Sequence, residues 1–149
     1  MAALSMLVFP YCAAPEGSET TRPGIVVKLD PTNSVRLKVT LRSGAHRPVT
    51  IPKYRLPWEW RYGLILVAVL PNGAPIDAEL PVEDPIASYK ITLAPNEQLT
   101  GYIDLQRYVR GDVKRIVRNS DVHIFWTYAA PEELRIPRVG GWVFVPQQK

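Results

Sequence analysis

The chain has 149 residues, 46% of them hydrophobic and 21% charged, enough for one domain with a real core. Fifteen prolines against nine glycines argue against long helices and for short strands joined by fixed loops. A net charge of +4 with a pI near 9.3 is too mild to demand a nucleic-acid partner, and a single cysteine, Cys12, excludes an internal disulfide.

Taken in order, residues 1–9 are apolar except for Ser5, and the small residues Ala13 and Ala14 follow. This resembles the end of a secretory signal, with Cys-Ala-Ala before Pro15 as the cleavage site. Two features oppose it: no Lys or Arg precedes the apolar run, and the run is short. Phe9-Pro10-Tyr11 ahead of Cys12 does not suit a lipoprotein signal. The alternatives are a first strand over 4–9 or a tail. Export to the periplasm or the exterior is therefore one expectation and a cytoplasmic protein the other. The organisation expected is a tail or signal-like segment over 1–23, a domain over 24–146, and a short tail over 147–149.

Past that segment, a strand is expected over 24–29, ended by the turn chemistry of Asp30-Pro31-Thr32-Asn33. Val35, Leu37, Val39 and Leu41 then alternate with Arg36, Lys38, Thr40 and Arg42, the period-two pattern of a strand with one buried and one wet face. A short strand over 49–51 closes at Pro52. Residues 53–62 are irregular and aromatic. The run Leu64-Ile65-Leu66-Val67-Ala68-Val69-Leu70 is stopped by Pro71-Asn72-Gly73. It is too short to cross a bilayer and is expected to be the central strand, covered on both faces because neither side carries a polar residue. Residues 76–80 are expected to return beside it as a ragged partner. Further strands are expected over 89–93, 99–105, 122–128 and 142–145, the last opened by Gly140-Gly141. One helical segment is expected between 104 and 117; Gly111 in its middle makes two short turns an equal alternative.

Short strands separated by turns, with one short helical crossing, define an all-β chain whose expected fold is an antiparallel β-sandwich of immunoglobulin-like type. The strand 35–41, the turn Pro95-Asn96-Glu97 ahead of 99–105, and Val122-His123-Ile124-Phe125-Trp126-Thr127-Tyr128 carry a resemblance in architecture to the immunoglobulin-like modules of bacterial secreted and envelope proteins. The Cys-Trp-Cys core of antibody domains is absent. No antibody-type function follows, and a fold that hosts many functions decides none by itself.

Chemistry is sparse. Phosphate-binding glycine loops, the nucleophile elbow and the His-Glu-x-x-His zinc motif are all missing. His46, in a turn, and His123, on a strand, are the two histidines, and neither comes with metal-ligand spacing, so no metal or cofactor is expected. Asp77, Glu79, Glu83 and Asp84 offer carboxylates, in a spacing that matches no calcium loop. Arg107, Arg110, Lys114, Arg115 and Arg118 form the densest basic group. It suits phosphate or an acidic protein, or is simply the wet side of an amphipathic turn. Tyr108 alone accompanies it, so a stacking platform for single-stranded nucleic acid is not indicated.

The loop with Tyr54, Arg55, Trp58, Trp60 and Arg61 combines stiff aromatic area with guanidinium groups, the usual composition of interface anchors. It is the expected binding surface, unless Trp58 and Trp60 fold back to plug the domain. The leading expectation for function is a non-catalytic module, exported or envelope-associated, that binds another protein. The alternatives are a carbohydrate-binding module using the aromatic loop and a small hydrolase with an unrecognised site.

Overall fold

The computed structural model describes residues 22–59, 63–79 and 89–148. Among these, nine strands follow in order: β1 (Gly24–Asp30), β2 (Asn33–Arg42), β3 (Val49–Pro52), β4 (Ile65–Val69), β5 (Pro75–Ile76), β6 (Lys90–Leu93), β7 (Gln98–Asp104), β8 (Val122–Tyr128) and β9 (Val139–Val145). All pairings are antiparallel. They build a three-stranded sheet in the order β1-β2-β7, a β3–β6 pair, and a four-stranded sheet in the order β5-β4-β8-β9.

Alternation sets the inward side of each sheet. Val35, Leu37, Val39 and Leu41 of β2 are buried, and Leu37 and Val39 stand opposite Ile103 and Gly101 of β7. Val122, Ile124 and Tyr128 of β8 are buried opposite Val145, Val143 and Val139 of β9. These side chains join Ile51 of β3 and Leu93 of β6 in one hydrophobic cluster, so the two larger sheets share a core. The outward side of the first sheet is polar. Lys28, Lys38 and Tyr102 lie in one cross-strand row, and the Arg36 guanidinium sits 4.6 Å from the centre of the Tyr102 ring.

The β1–β2 turn is closed by one carboxylate. Asp30 accepts from the Thr32 amide at 2.9 Å, the Thr32 hydroxyl at 2.8 Å and Arg36 Nε at 2.6 Å. The Thr32 donors, with the Arg36 guanidinium beside them, hold its carboxyl below the usual carboxylate range. A group whose folded value is lowered contributes stability above its unfolded value and loses it as pH falls through the folded value. Asp30→Asn should therefore melt a few degrees below wild type at pH 7, and the gap should close as pH falls below the ordinary carboxylate range. A gap that stays constant in melts run across that range would show that the ionised carboxylate is not what secures the turn.

The helical segment is divided. A 3-10 turn, Leu105–Arg107, directly follows β7, and a helix, α1 (Val113–Asn119), follows Gly111, whose φ of +98° no other residue type adopts without strain. Gln106 bridges the two pieces: its side-chain amide donates to the Gly111 carbonyl at 2.6 Å and accepts from the Val113 amide at 3.2 Å. Asp112 caps α1 by accepting from the Arg115 amide at 3.2 Å. Val113 and Val117 face the core.

Two expectations need correction. The first concerns β4, which is covered on one face only. Leu64 and Ala68 are buried and Leu66 is half-buried, whereas Ile65 and Val67 on the other face are 62% and 49% exposed. A strand apolar on both sides has no polar residue to say which side meets water, and here nothing among the described residues covers the outer one. The second concerns Gly140 and Gly141, which lie inside β9 rather than before it. A Cβ on Gly141 would come within 2.9 Å of the Trp126 ring, and one on Gly140 within 2.9 Å of the Trp126 carbonyl, so the glycines let β9 run close against Trp126.

Candidate functional site

The outer face of β4, β8 and β9 is assembled by register. Ile65, Thr127 and Gly140 form one cross-strand row, Val67, Phe125 and Trp142 the next, and Val69, His123 and Phe144 the third. The period of two puts these side chains opposite the core-facing Ile124, Val143 and Val145. Trp142 is 61% exposed, Phe125 49% and Phe144 42%. The His123 ring packs between the two β9 aromatics, its centre 5.3 Å from that of Phe144 and 6.0 Å from that of Trp142, both at tilted angles. No Asp, Glu, Lys or Arg occurs in the three rows.

Three half-exposed aromatic rings and two exposed aliphatic side chains leave roughly 500 Å² of apolar surface in water, at the upper end of what a monomeric protein shows. Contiguous apolar patches of this size are often functional. The sequence conceals it because Trp142-Val143-Phe144-Val145 and the β4 run read as buried. A signal is present all the same: both strands are apolar on both sides, and the β8 strand between them carries Phe125 on its wet side.

The residues expected to bind are distributed differently. Tyr54 and Arg55 lie in a 3-10 turn, Lys53–Arg55, and both are half-buried. The buried Tyr128 hydroxyl, its titration pushed up by burial, donates to the Arg55 carbonyl at 2.8 Å and anchors the turn to β8. Trp58 is half-buried and lies across Gly101 of β7: a Cβ there would overlap its indole ring. Tyr54, Arg55 and Trp58 are thus attached to the body of the fold, and Trp60 and Arg61 lie outside the described residues.

No family model matches this chain, and no curated protein resembles it closely enough to count as a relative.

The basic residues Arg107, Arg110, Lys114, Arg115 and Arg118 are all exposed, on the 3-10 turn, its connector and the outer side of α1. Tyr108 among them is half-buried, and burial, then the nearby Glu59 carboxylate, pushes its phenol up to about 12. Its ring packs against the hydrophobic core. Asp77 and Glu79 are exposed, while Glu83 and Asp84 lie outside the described residues. Among the described residues no group of three or more His, Cys, Asp or Glu is placed to hold a metal ion. His46 lines an open cleft of about 770 Å³ with Ala45, Arg47, Val49, Glu132, Glu133 and Arg135, whose charges balance and which include no hydroxyl or thiol. No helix among the described residues is long and apolar enough to cross a membrane, which says nothing of a β-barrel.

Proposed function

We propose that this chain is a non-catalytic protein-interaction module of immunoglobulin-like architecture, and that it binds through the outer face of β4, β8 and β9. The observation that carries the reading is the charge-free apolar surface of Ile65, Val67, Phe125, Trp142 and Phe144. Burying apolar area is the main driving force of protein association, and aromatic residues dominate the centres of interfaces. The architecture is supported by strand order. The β1-β2-β7 sheet and the β9-β8-β4-β5 sheet correspond in sequence to the A-B-E and G-F-C-C′ strands of an immunoglobulin-like sandwich. Export or envelope association rests on residues 1–14, which lie outside the described residues.

A sugar site needs side chains that reach hydroxyl groups beside its aromatic platform. This face offers His123 and Thr127, and the Thr127 hydroxyl already donates to the Val139 carbonyl at 3.2 Å. A protein surface therefore fits better than a glycan. The test is a photo-reactive benzoylphenylalanine at position 142, irradiated in the native host. Cross-links to protein are expected. Labelling confined to polysaccharide, or protein cross-linking at position 142 no stronger than with the same group at Lys38 on the polar sheet, would overturn the reading.

A further inference from the structure

We propose, resting on that reading, that the occupant of this face is a second copy of the same chain, packed sheet to sheet about a two-fold axis. Three observations point to it. The first is charge. In a symmetric interface every group near the axis meets its own counterpart, so a charged side chain there is repelled by itself. The chain carries a net charge of +4, and the outer side of the first sheet bears Lys28, Arg36 and Lys38; the three rows of β4, β8 and β9 bear no Asp, Glu, Lys or Arg.

The second is shape. An axis running along β8, in the plane between two facing sheets, lays β4 of each copy over β9 of the other and keeps every row in register with itself. The aliphatic Val67 and Val69 of one copy then face the larger Trp142 and Phe144 of its partner and Ile65 faces Gly140, large against small in every row, and Phe125 of β8 stands next to its own counterpart at the axis. Two identical sheets also share one twist, so they pack without the mismatch that unrelated sheets must resolve. The third is size. On the order of 500 Å² of apolar surface, enlarged by a rim that includes Val69, His123 and Thr127, approaches the roughly 800 Å² per partner of a standard stable interface.

Sedimentation of the full chain from about 1 µM to about 200 µM should show a monomer giving way to a dimer across that range. Phe125→Lys and Phe125→Glu, both at a surface position, should each remain folded and monomeric throughout. Mixing the two should restore a dimer containing one copy of each, because opposite charges then meet at the axis. The mixing readout is independent of either variant's own stability. A wild-type chain that stays monomeric at every concentration overturns the proposal, as does a dimer that survives both substitutions. A monomer whose position 142 nonetheless cross-links to another protein overturns the self-association alone and leaves the interaction-module reading standing. If that monomer binds a hydrophobic dye only after Leu7→Glu, the occupant is instead the chain's own apolar segment over residues 1–9.

Discussion

Gly101→Ala is expected to destabilise the protein by about 2–4 kcal/mol, a large effect for one added methyl group. In an ordinary strand the same change helps, because alanine loses less backbone freedom on folding than glycine, by roughly 0.5–1 kcal/mol. The sign is reversed here by Trp58. A Cβ at position 101 would come far closer to Cδ2, Cγ and Cε2 of Trp58 than any two unbonded carbons can stand. The indole must leave, and with it goes its packing against the core. Chemical denaturation of both single variants and the double variant isolates this contact. Trp58→Ala should also destabilise, and adding Gly101→Ala to it should then cost nothing or stabilise slightly. Additive losses would show that the ring does not rest on that glycine. The same cycle separates a scaffold role for Trp58 from a binding role, since a ring whose task is to bind would be lost without a change in melting.

The second large effect separates the two faces of the fold. Leu37 is fully buried at the centre of β2, opposite Ile103, and Leu37→Ala should cost about 3–5 kcal/mol. Leu66 lies on the inner side of β4 but is only half-buried, so Leu66→Ala should cost about 1–2 kcal/mol. On the outer side of the same strand, Val67→Ala in the monomer should change stability by less than about 0.5 kcal/mol, because that side chain is half in water already. Denaturant titration at low concentration, where any dimer has dissociated, reads all three. Equal losses at Leu66 and Val67 would mean that β4 is covered on both sides.

Much of this arrangement is legible in the order of the residues. The β2 alternation announces its own inward side, since Arg36, Lys38 and Arg42 cannot face a core unpaired. The bounds of β8 follow from the same rule. Turn chemistry at Asp30-Pro31-Thr32-Asn33 and at Pro95-Asn96-Glu97 places the β1–β2 hairpin and the approach to β7, and Gly111 divides the helical segment where its missing side chain leads one to expect. The aromatic segment over 53–62 is legible only as unusual: its composition suits an interface anchor and a packed plug equally well. What attaches Trp58 to the body is Gly101, a residue far along the chain whose relevance no local pattern reveals.

The sequence by itself determined that the chain is mostly β, which side of each alternating strand turns inward, and where the turns fall, because those depend on neighbours along the chain and on a period of two. Tertiary structure alone decided that β4, β8 and β9 lie side by side, and so that Ile65, Val67, Phe125, Trp142 and Phe144 form one surface. The physical reason is that a strand apolar on both faces carries no label for the face that meets water. The choice is made by which neighbours pack against it, and β4 has its core on one side only. The candidate site is therefore a property of strand order, written in residues that each look, in the sequence, like core.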